Sequence, residues 1–226
     1  MKKAVFITGA SRGIGFELAL VFARRGYRVV AHGRNRKRLK RLQNQIVALG
    51  GDSSIVVGDV TDAETIQKIS AAARKHNISV CINNAGVSGE GRIEQISGQS
   101  IHRVFQTNLI APIQIIKKIY PLFLKKKRGI IVNINSVSGL EAQSARPVYC
   151  ASKWGLRGFA EALRKEALKH HIRIVDIYPS RVKTRPKFTY GMDPHELAEK
   201  IYHFVEETDR VVFIVDDRPK AYKRYA

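Results

Sequence analysis

Residues 8–15 read Thr8-Gly9-Ala10-Ser11-Arg12-Gly13-Ile14-Gly15. The four residues before them, Ala4–Ile7, are all apolar, and helical periodicity runs on from Phe16 to Arg25. A glycine-rich turn between a first strand and a first helix aims backbone N–H groups at a pyrophosphate. Gly9 permits the tight turn, while Gly13 and Gly15 permit close approach of phosphate and strand. The spacing is GxxxGxG, not GxGxxG, and an ordinary strand–helix loop with convenient glycines reads the same way. The position between strand and helix favours the dinucleotide reading.

The same alternation continues outward from that turn. Further apolar runs are Val29–Ala31, Ile55–Val57, Val80–Ile82, Ile130–Ile134, Ile172–Ile177 and Val211–Val215. Amphipathic stretches such as Ala63–Lys75 and Trp154–His170 lie between them. Short, nearly continuous apolar runs suit strands covered on both faces. Alternation with helices implies βαβ units with right-handed crossovers. The expected fold is α/β: a doubly wound, Rossmann-like parallel sheet of about seven strands, with helices on both faces. No repeat, linker or low-complexity segment interrupts it, so residues 1–226 are read as one domain carrying both cofactor and substrate sites.

Composition narrows the setting. The 226 residues are 44% hydrophobic, which suits a soluble globular chain with a large core. Forty Lys and Arg against 19 Asp and Glu give a formal charge of +21. That excess attracts anions: phosphorylated cofactors, acidic carrier proteins, nucleic acid or anionic membrane. The apolar run after Met1-Lys2-Lys3 is too short for a signal peptide, and no window approaches the ~20 apolar residues of a membrane span. A cytoplasmic protein with no membrane partner is expected. Cys81 and Cys150 sit in no metal or redox pattern and read as reduced thiols. None of the seven histidines forms an HxxxH or HExxH array, so no metal is expected.

The second strand indicates which dinucleotide. Sites that prefer NAD place an acidic residue after it, to hold the ribose 2′-hydroxyl. Here no Asp or Glu occurs between Glu17 and Asp52, and the strand ends in His32-Gly33-Arg34-Asn35-Arg36-Lys37-Arg38. Arg34 falls where the 2′ substituent should lie, with Arg12 projecting from the glycine turn nearby. Two guanidinium forks suit a 2′-phosphate, so the expected cofactor is NADP(H). Arg36, Lys37, Arg38, Lys40 and Arg41 are read as the solvated face of a helix.

Further on stand Asn83-Asn84-Ala85-Gly86, Asn108, Ser136 and Tyr149-Cys150-Ala151-Ser152-Lys153. The segment from about Val148 to His170 reads as a helix, so Tyr149 and Lys153 share one face. A phenol of ordinary pKa near 10 is a poor proton carrier at neutral pH; a neighbouring ammonium and the helix N-terminus both favour its phenolate. Ser136 ends the strand Ile130–Ile134, at the edge where such sheets bind ligands, and its hydroxyl can donate to a carbonyl oxygen as charge develops there. Taken singly, Tyr149 also reads as an interfacial helix residue and Lys153 as its solvated neighbour.

Together these stretches resemble the short-chain dehydrogenase/reductase family in its short single-domain form, from Lys3 to about Thr184. TGASRGIG at Thr8–Gly15, Asp59-Val60, NNAG at Asn83–Gly86 and YCASK at Tyr149–Lys153 match its motifs in order. The resemblance implies an oxidoreductase that transfers a hydride between a nicotinamide and a carbonyl or alcohol carbon. It implies Tyr149 as acid/base, Lys153 as holder of the nicotinamide ribose and tuner of Tyr149, Ser136 as orienter of the carbonyl, and Asn108 as anchor of a relay water. It assigns the cofactor to Gly9, Ser11, Arg12, Gly13, Ile14, Gly15, Arg34, Asp59, Val60, Asn84, Ala85, Gly86, Tyr149, Lys153, Pro179, Val182 and Thr184. Asp59 and Val60 would flank the adenine, and Thr184 would reach the carboxamide. The stretches Gln99–Lys125 and Val148–His170 resemble the family's paired interface helices, which implies a homodimer or homotetramer.

Two departures stand out. Pro179 is followed by Ser180 where the family commonly has Gly, so the local turn should differ. The stretch Arg185–Asp193, in the region of the family's substrate lid, is short and suggests an open site. Trp154 is read as a packing residue and Cys150 as a small helix residue facing away from the chemistry. The basic surface also admits a 3-oxoacyl carrier-protein reductase, since such carriers are acidic. A non-catalytic anion- or nucleic-acid-binding protein on this fold is the competing class. It is disfavoured, because no platform of interleaved aromatic and basic residues is evident.

Overall fold

The computed structural model describes residues 2–184 and 190–218. Seven strands, β1 (Ala4–Ile7), β2 (Arg28–Gly33), β3 (Asp52–Val57), β4 (Val80–Asn83), β5 (Gly129–Ile134), β6 (Ile172–Pro179) and β7 (Val212–Val215), form one sheet. The order is β3-β2-β1-β4-β5-β6-β7, and every pairing is parallel. The order reverses between β1 and β4, where Ile7 pairs with Ala31 on one side and Ile82 on the other. At such a switch point the flanking connections leave in opposite directions and open a crevice at the carboxyl edge.

The strands are apolar at successive positions because both faces are covered. Val5, Ile7, Val29, Ala31, Ile82, Val132 and Ile177 meet α1 (Gly13–Arg24), α2 (Arg36–Ala48) and α7 (Pro194–Glu207) through residues such as Leu18, Leu39 and Ile201. The alternate residues Ala4, Phe6, Val30, Cys81, Ile131 and Ile174 meet α3 (Ala63–Lys75), α5 (Ala111–Lys126) and α6 (Pro147–Ala167) through Ile69, Ile119 and Leu163. The period of two along each strand divides one apolar run between two cores. Side-chain caps start several helices: Asn35 accepts from the Arg38 amide, Ser97 from Ser100 at the start of α4 (Gly98–Phe105), and Asp193 from His195 and Glu196. Each such cap is worth about 1 kcal/mol.

The stretch Gln99–Lys125, expected as one helix, is interrupted. Between α4 and α5 lies a π turn, Gln106–Ile110, which holds Asn108. Pro112, at the start of α5, has no N–H to give the Asn108 carbonyl four residues earlier, and its ring would crowd that oxygen. The wider turn accommodates both constraints. Ser180 also finds its own solution. It is not among the residues of left-handed φ. Its amide donates to the Val215 carbonyl at 2.9 Å, and its hydroxyl hydrogen-bonds the Asp217 carboxylate, tying the end of β6 to the chain beyond β7. The short-lid expectation for Arg185–Asp193 falls largely outside the described residues. On either side, Val182 bridges Met192, and Lys183 donates to the Met192 carbonyl at 2.9 Å.

Candidate active site

Two joined clefts lie along the carboxyl edge. The larger, about 1350 Å³, runs over the turn after β1 and the ends of β2 and β3. Gly9 and Gly13 sit at left-handed φ of +67° and +59°, conformations that L side chains rarely adopt. A Cβ on Gly9 would stand 2.9 Å from the Ala85 Cα, and one on Gly13 would stand 3.0 Å from the Thr184 side chain. Helix α1 starts without a side-chain cap at Arg12, while Ser11 to Ile14 line the cleft. Uncapped N-terminal amides beside an open groove fit a pyrophosphate. Gly15 differs from the expectation. It does not line the cleft; its place is structural, because a Cβ there would stand 2.4 Å from the Asn84 amide and 2.7 Å from the Gly9 carbonyl.

Asn84 locks the floor of this cleft. Its backbone amide and that of Ala85 both donate to the Thr8 hydroxyl at 2.9 Å, and its side chain donates to the Thr8 carbonyl at 2.8 Å. Asp59, Val60 and Ala85 line the far part, with Arg12, Arg34, Asn35 and Arg38. Arg38 corrects the sequence reading: it faces the cleft rather than only solvent, because the Asn35 cap starts α2 at the groove's rim. Arg34 is exposed and reaches Asp59 at 3.4 Å, so a carboxylate does stand near the expected 2′ position. Burial alone would raise the Asp59 carboxyl. Hydrogen bonds from Thr61 and the charge of Arg34 outweigh burial and hold it below its ordinary value. His32 lies beneath this end, 2% exposed, and burial pushes its imidazole down to about 4, so it is neutral at pH 7.

The second cleft, about 620 Å³, shares Ile14, Asn84, Gly86, Val87 and Thr184 with the first. Ser136, Tyr149, Lys153, Pro179 and Val182 line it, with Glu90, Arg146, Arg181 and Arg218 at its sides. Tyr149 and Lys153 project from the first two turns of α6, and Ser136 stands just past β5. Lys153 is 5% exposed, and its ammonium donates to the Ile134 carbonyl at 2.9 Å and lies 5.8 Å from the Tyr149 ring centre. Burial pushes it down to about 8, with the Asp176 charge opposing. Burial likewise raises the Tyr149 phenol. Hydrogen bonding with Ser136 and the charge of Arg146 pull it back. Burial outweighs them and the net direction is upward, so the lowering expected beside the ammonium and the helix N-terminus does not prevail here. Asn108 does not line the cleft. Buried at 1% exposure, it accepts from the Val87 amide and donates to the Val87 carbonyl, both at 2.9 Å, and donates to Ser152 at 3.2 Å.

Beneath the second cleft runs a buried chain absent from the sequence reading. Asn83 donates to Asn133 at 3.0 Å, Asn133 to Asp176 at 3.1 Å, and Arg164 to Asp176 at 2.7 Å. Strand register explains it, because Asn83, Asn133 and Asp176 are direct partners across β4, β5 and β6. Burial raises the fully buried Asp176 to about 6, against the pull of Asn133 and Arg164. Cys150 is buried and lines neither cleft; Trp154 is half exposed, under the Arg157 guanidinium at 5.6 Å, and lines neither cleft. Among the described residues no group of His, Cys, Asp and Glu is placed to hold a metal, and no helix is long and apolar enough to cross a membrane.

Comparison with known proteins agrees with this architecture. A short chain dehydrogenase family model matches residues 3–190. The chain is similar to a fatty acyl-CoA reductase of Acinetobacter baylyi, 32% identical over 96% of this chain and 74% of that one. It is also similar to a human 3-oxoacyl-[acyl-carrier-protein] reductase, 32% identical over 81% of this chain and 77% of that one. A short-chain dehydrogenase from Sphingobium yanoikuyae in complex with NADPH superposes with a TM-score of 0.86 at 26% identity, covering 96% of this chain and 89% of that one. The chain belongs to the short-chain dehydrogenase/reductase family and is an oxidoreductase of that family.

Proposed function

We propose that the protein is an NADP(H)-dependent carbonyl reductase that also runs in the alcohol-oxidising direction. The observation that carries this reading is the joining of the clefts: Ser136, Tyr149 and Lys153 line one, and Arg12, Arg34 and Arg38 line the other. The first would hold the reacting carbonyl and the second the 2′-phosphate, with the pyrophosphate over the Ser11–Ile14 amides. The nicotinamide, when bound, supplies a hydride to the carbonyl carbon. Ser136 hydrogen-bonds the carbonyl oxygen and orients it. Tyr149 gives its hydroxyl proton to that oxygen and is re-protonated from solvent. Lys153 contributes positive charge beside the phenol and a donor for the ribose hydroxyls. Pro179, Val182 and Thr184 would border the nicotinamide. The Asn108 side chain is committed to Val87 and Ser152, so a relay water held by Asn108 would meet its backbone carbonyl.

Within this class a 3-oxoacyl thioester on an acidic carrier protein is the favoured elaboration, supported by the +21 charge and the likeness to the human reductase. A homodimer or homotetramer through α5 and α6 is proposed with it. The deciding experiment is a panel of ketones, aldehydes and 3-oxoacyl thioesters, followed at the NADPH absorbance band. Turnover with NADPH exceeding that with NADH is expected. A protein that neither binds NADPH nor consumes it with any carbonyl overturns the reading. Sedimentation showing only monomer at physiological salt overturns the oligomer.

A further inference from the structure

Arg146 stands immediately before α6 and three residues before Tyr149. Its guanidinium lies 5.0 Å from the Tyr149 ring centre, nearer than the Lys153 ammonium at 5.8 Å. Two side chains hold it there: Glu90 accepts from it at 2.7 Å and Gln143 at 3.1 Å. The two loops involved are tied by backbone as well, through the Gly91 amide and the Ala145 carbonyl at 2.8 Å, with Ala145 at a left-handed φ of +56°. Glu90, Gln143, Ala145, Arg146 and Tyr149 all line the second cleft. The Glu90–Arg146 pair is 58% and 28% exposed, and a pair so wet contributes little to stability. Its placement against the phenol is the more informative property.

We propose that Arg146 is a positioning residue for Tyr149, presenting a second cation to the phenol, and that Glu90 both holds this cation in place and partly offsets its charge. The proposal rests on the reading of Tyr149 as the proton carrier. A guanidinium against the ring favours the phenolate, and a carboxylate behind the guanidinium weakens that effect. The charges act in these directions: Arg146 pulls the phenol down, whereas Glu90 pushes it up. The other groups facing Tyr149 are Ser136 beyond β5, and Cys150 and Lys153 on α6; Arg181 and Arg218 line the same cleft.

The test is the pH profile of alcohol oxidation, using the alcohol of the best carbonyl in the panel above. In this direction the phenolate accepts the proton, so the rate rises with pH through the Tyr149 value. Arg146→Met moves that rise upward by about half to one pH unit, and Glu90→Gln moves it downward by a smaller amount. Arg146→Lys restores most of the wild-type profile, and the double variant Glu90→Gln/Arg146→Met rises at a pH between those of Arg146→Met and wild type, because the Glu90 charge that pushes the phenol up is gone too. The same order is expected without substrate, in the phenolate absorbance difference between each variant and the same variant carrying Tyr149→Phe. Profiles and absorbance differences that coincide with wild type, in variants that fold, overturn the inference and leave Tyr149 in its role. A Tyr149→Phe protein that keeps its turnover overturns the role itself.

Discussion

The two clefts place their carboxylates differently. Arg12, Arg34 and Arg38 line the larger cleft, proposed to hold the cofactor, and among its described lining residues the one carboxylate is Asp59. In the other cleft two of the four lining cations are met side by side by carboxylates: Arg146 by Glu90 at 2.7 Å, and Arg218 by Asp216 at 3.0 Å and Glu141 at 3.2 Å, while Lys153 and Arg181 line it as well. An excess of guanidinium suits a group that arrives with several negative charges. Cations held by carboxylates at fixed places suit the proposed carbonyl, which arrives uncharged and must acquire partial charge at one place only, opposite Tyr149 and Ser136. On the proposed function, selectivity for the cofactor would depend on guanidinium groups near its phosphates, and chemistry at the carbonyl on where a few held charges point.

The sharpest way to break this contrast is at Tyr149. Tyr149→Phe keeps the ring and deletes the proposed acid, so turnover should fall ~100- to 10,000-fold while NADPH affinity is kept. Retained turnover would falsify the division of labour between the clefts. The next effect concerns the buried ionisable groups beneath each cleft. His32 charges at 6.5 when unfolded but at about 4 when folded, so the stability it contributes is complete above pH 6.5 and is lost as pH falls through 4. The loss amounts to about 3 kcal/mol. His32→Thr should flatten that acid limb, read as the difference between two denaturation series from pH 7 to 4. Asp176 has the opposite sign: folded at about 6 against an ordinary 3.8, its contribution is present below 3.8 and is lost as pH rises through 6. Asp176→Asn should therefore gain relative to wild type from pH 4 to 7; two variants that shift in the same direction would sink this account. Smallest is the cofactor effect. Arg34→Ala or Arg38→Ala should weaken NADPH roughly tenfold, about 1.4 kcal/mol, and leave NADH nearly unchanged in fluorescence titrations. Equal affinity of the unmutated protein for both cofactors would remove the electrostatic contrast.

How much was legible in the sequence follows the same division. Features carried by backbone were readable. Seven apolar runs lie in or against seven strands, and the glycines at 9 and 13 mark a turn whose φ values only glycine adopts readily. Tyr149 and Lys153 share a helix face because spacing of four guarantees it. What spacing does not encode is where the side chain ends. The Lys153 ammonium donates to the Ile134 carbonyl, a group from a strand nineteen residues earlier, while lying 5.8 Å from the Tyr149 ring centre. Arg38 reads as one cation in a solvated row until Asn35 fixes where α2 begins. Arg146 could have been noticed three residues before Tyr149, but its orientation depends on Glu90, 56 residues away in the chain. The Asn83–Asn133–Asp176 chain needs strand register, which periodicity alone leaves undetermined.

The π turn at Gln106–Ile110 acts like an extra tooth on a gear. A helix advances about 100° per residue, so one additional residue in a turn sets everything beyond it out of step with everything before. Deleting a single residue here would turn α4 and α5 about a quarter of a revolution relative to each other and press the Pro112 ring against the carbonyl four residues earlier. Either the apolar row Ile115, Ile116, Ile119 and Phe123 would leave the core, or Asn108 would swing off Val87. The segment should therefore accept substitutions far more readily than a change in length, so that its residue count is a more durable mark of descent than most of its letters.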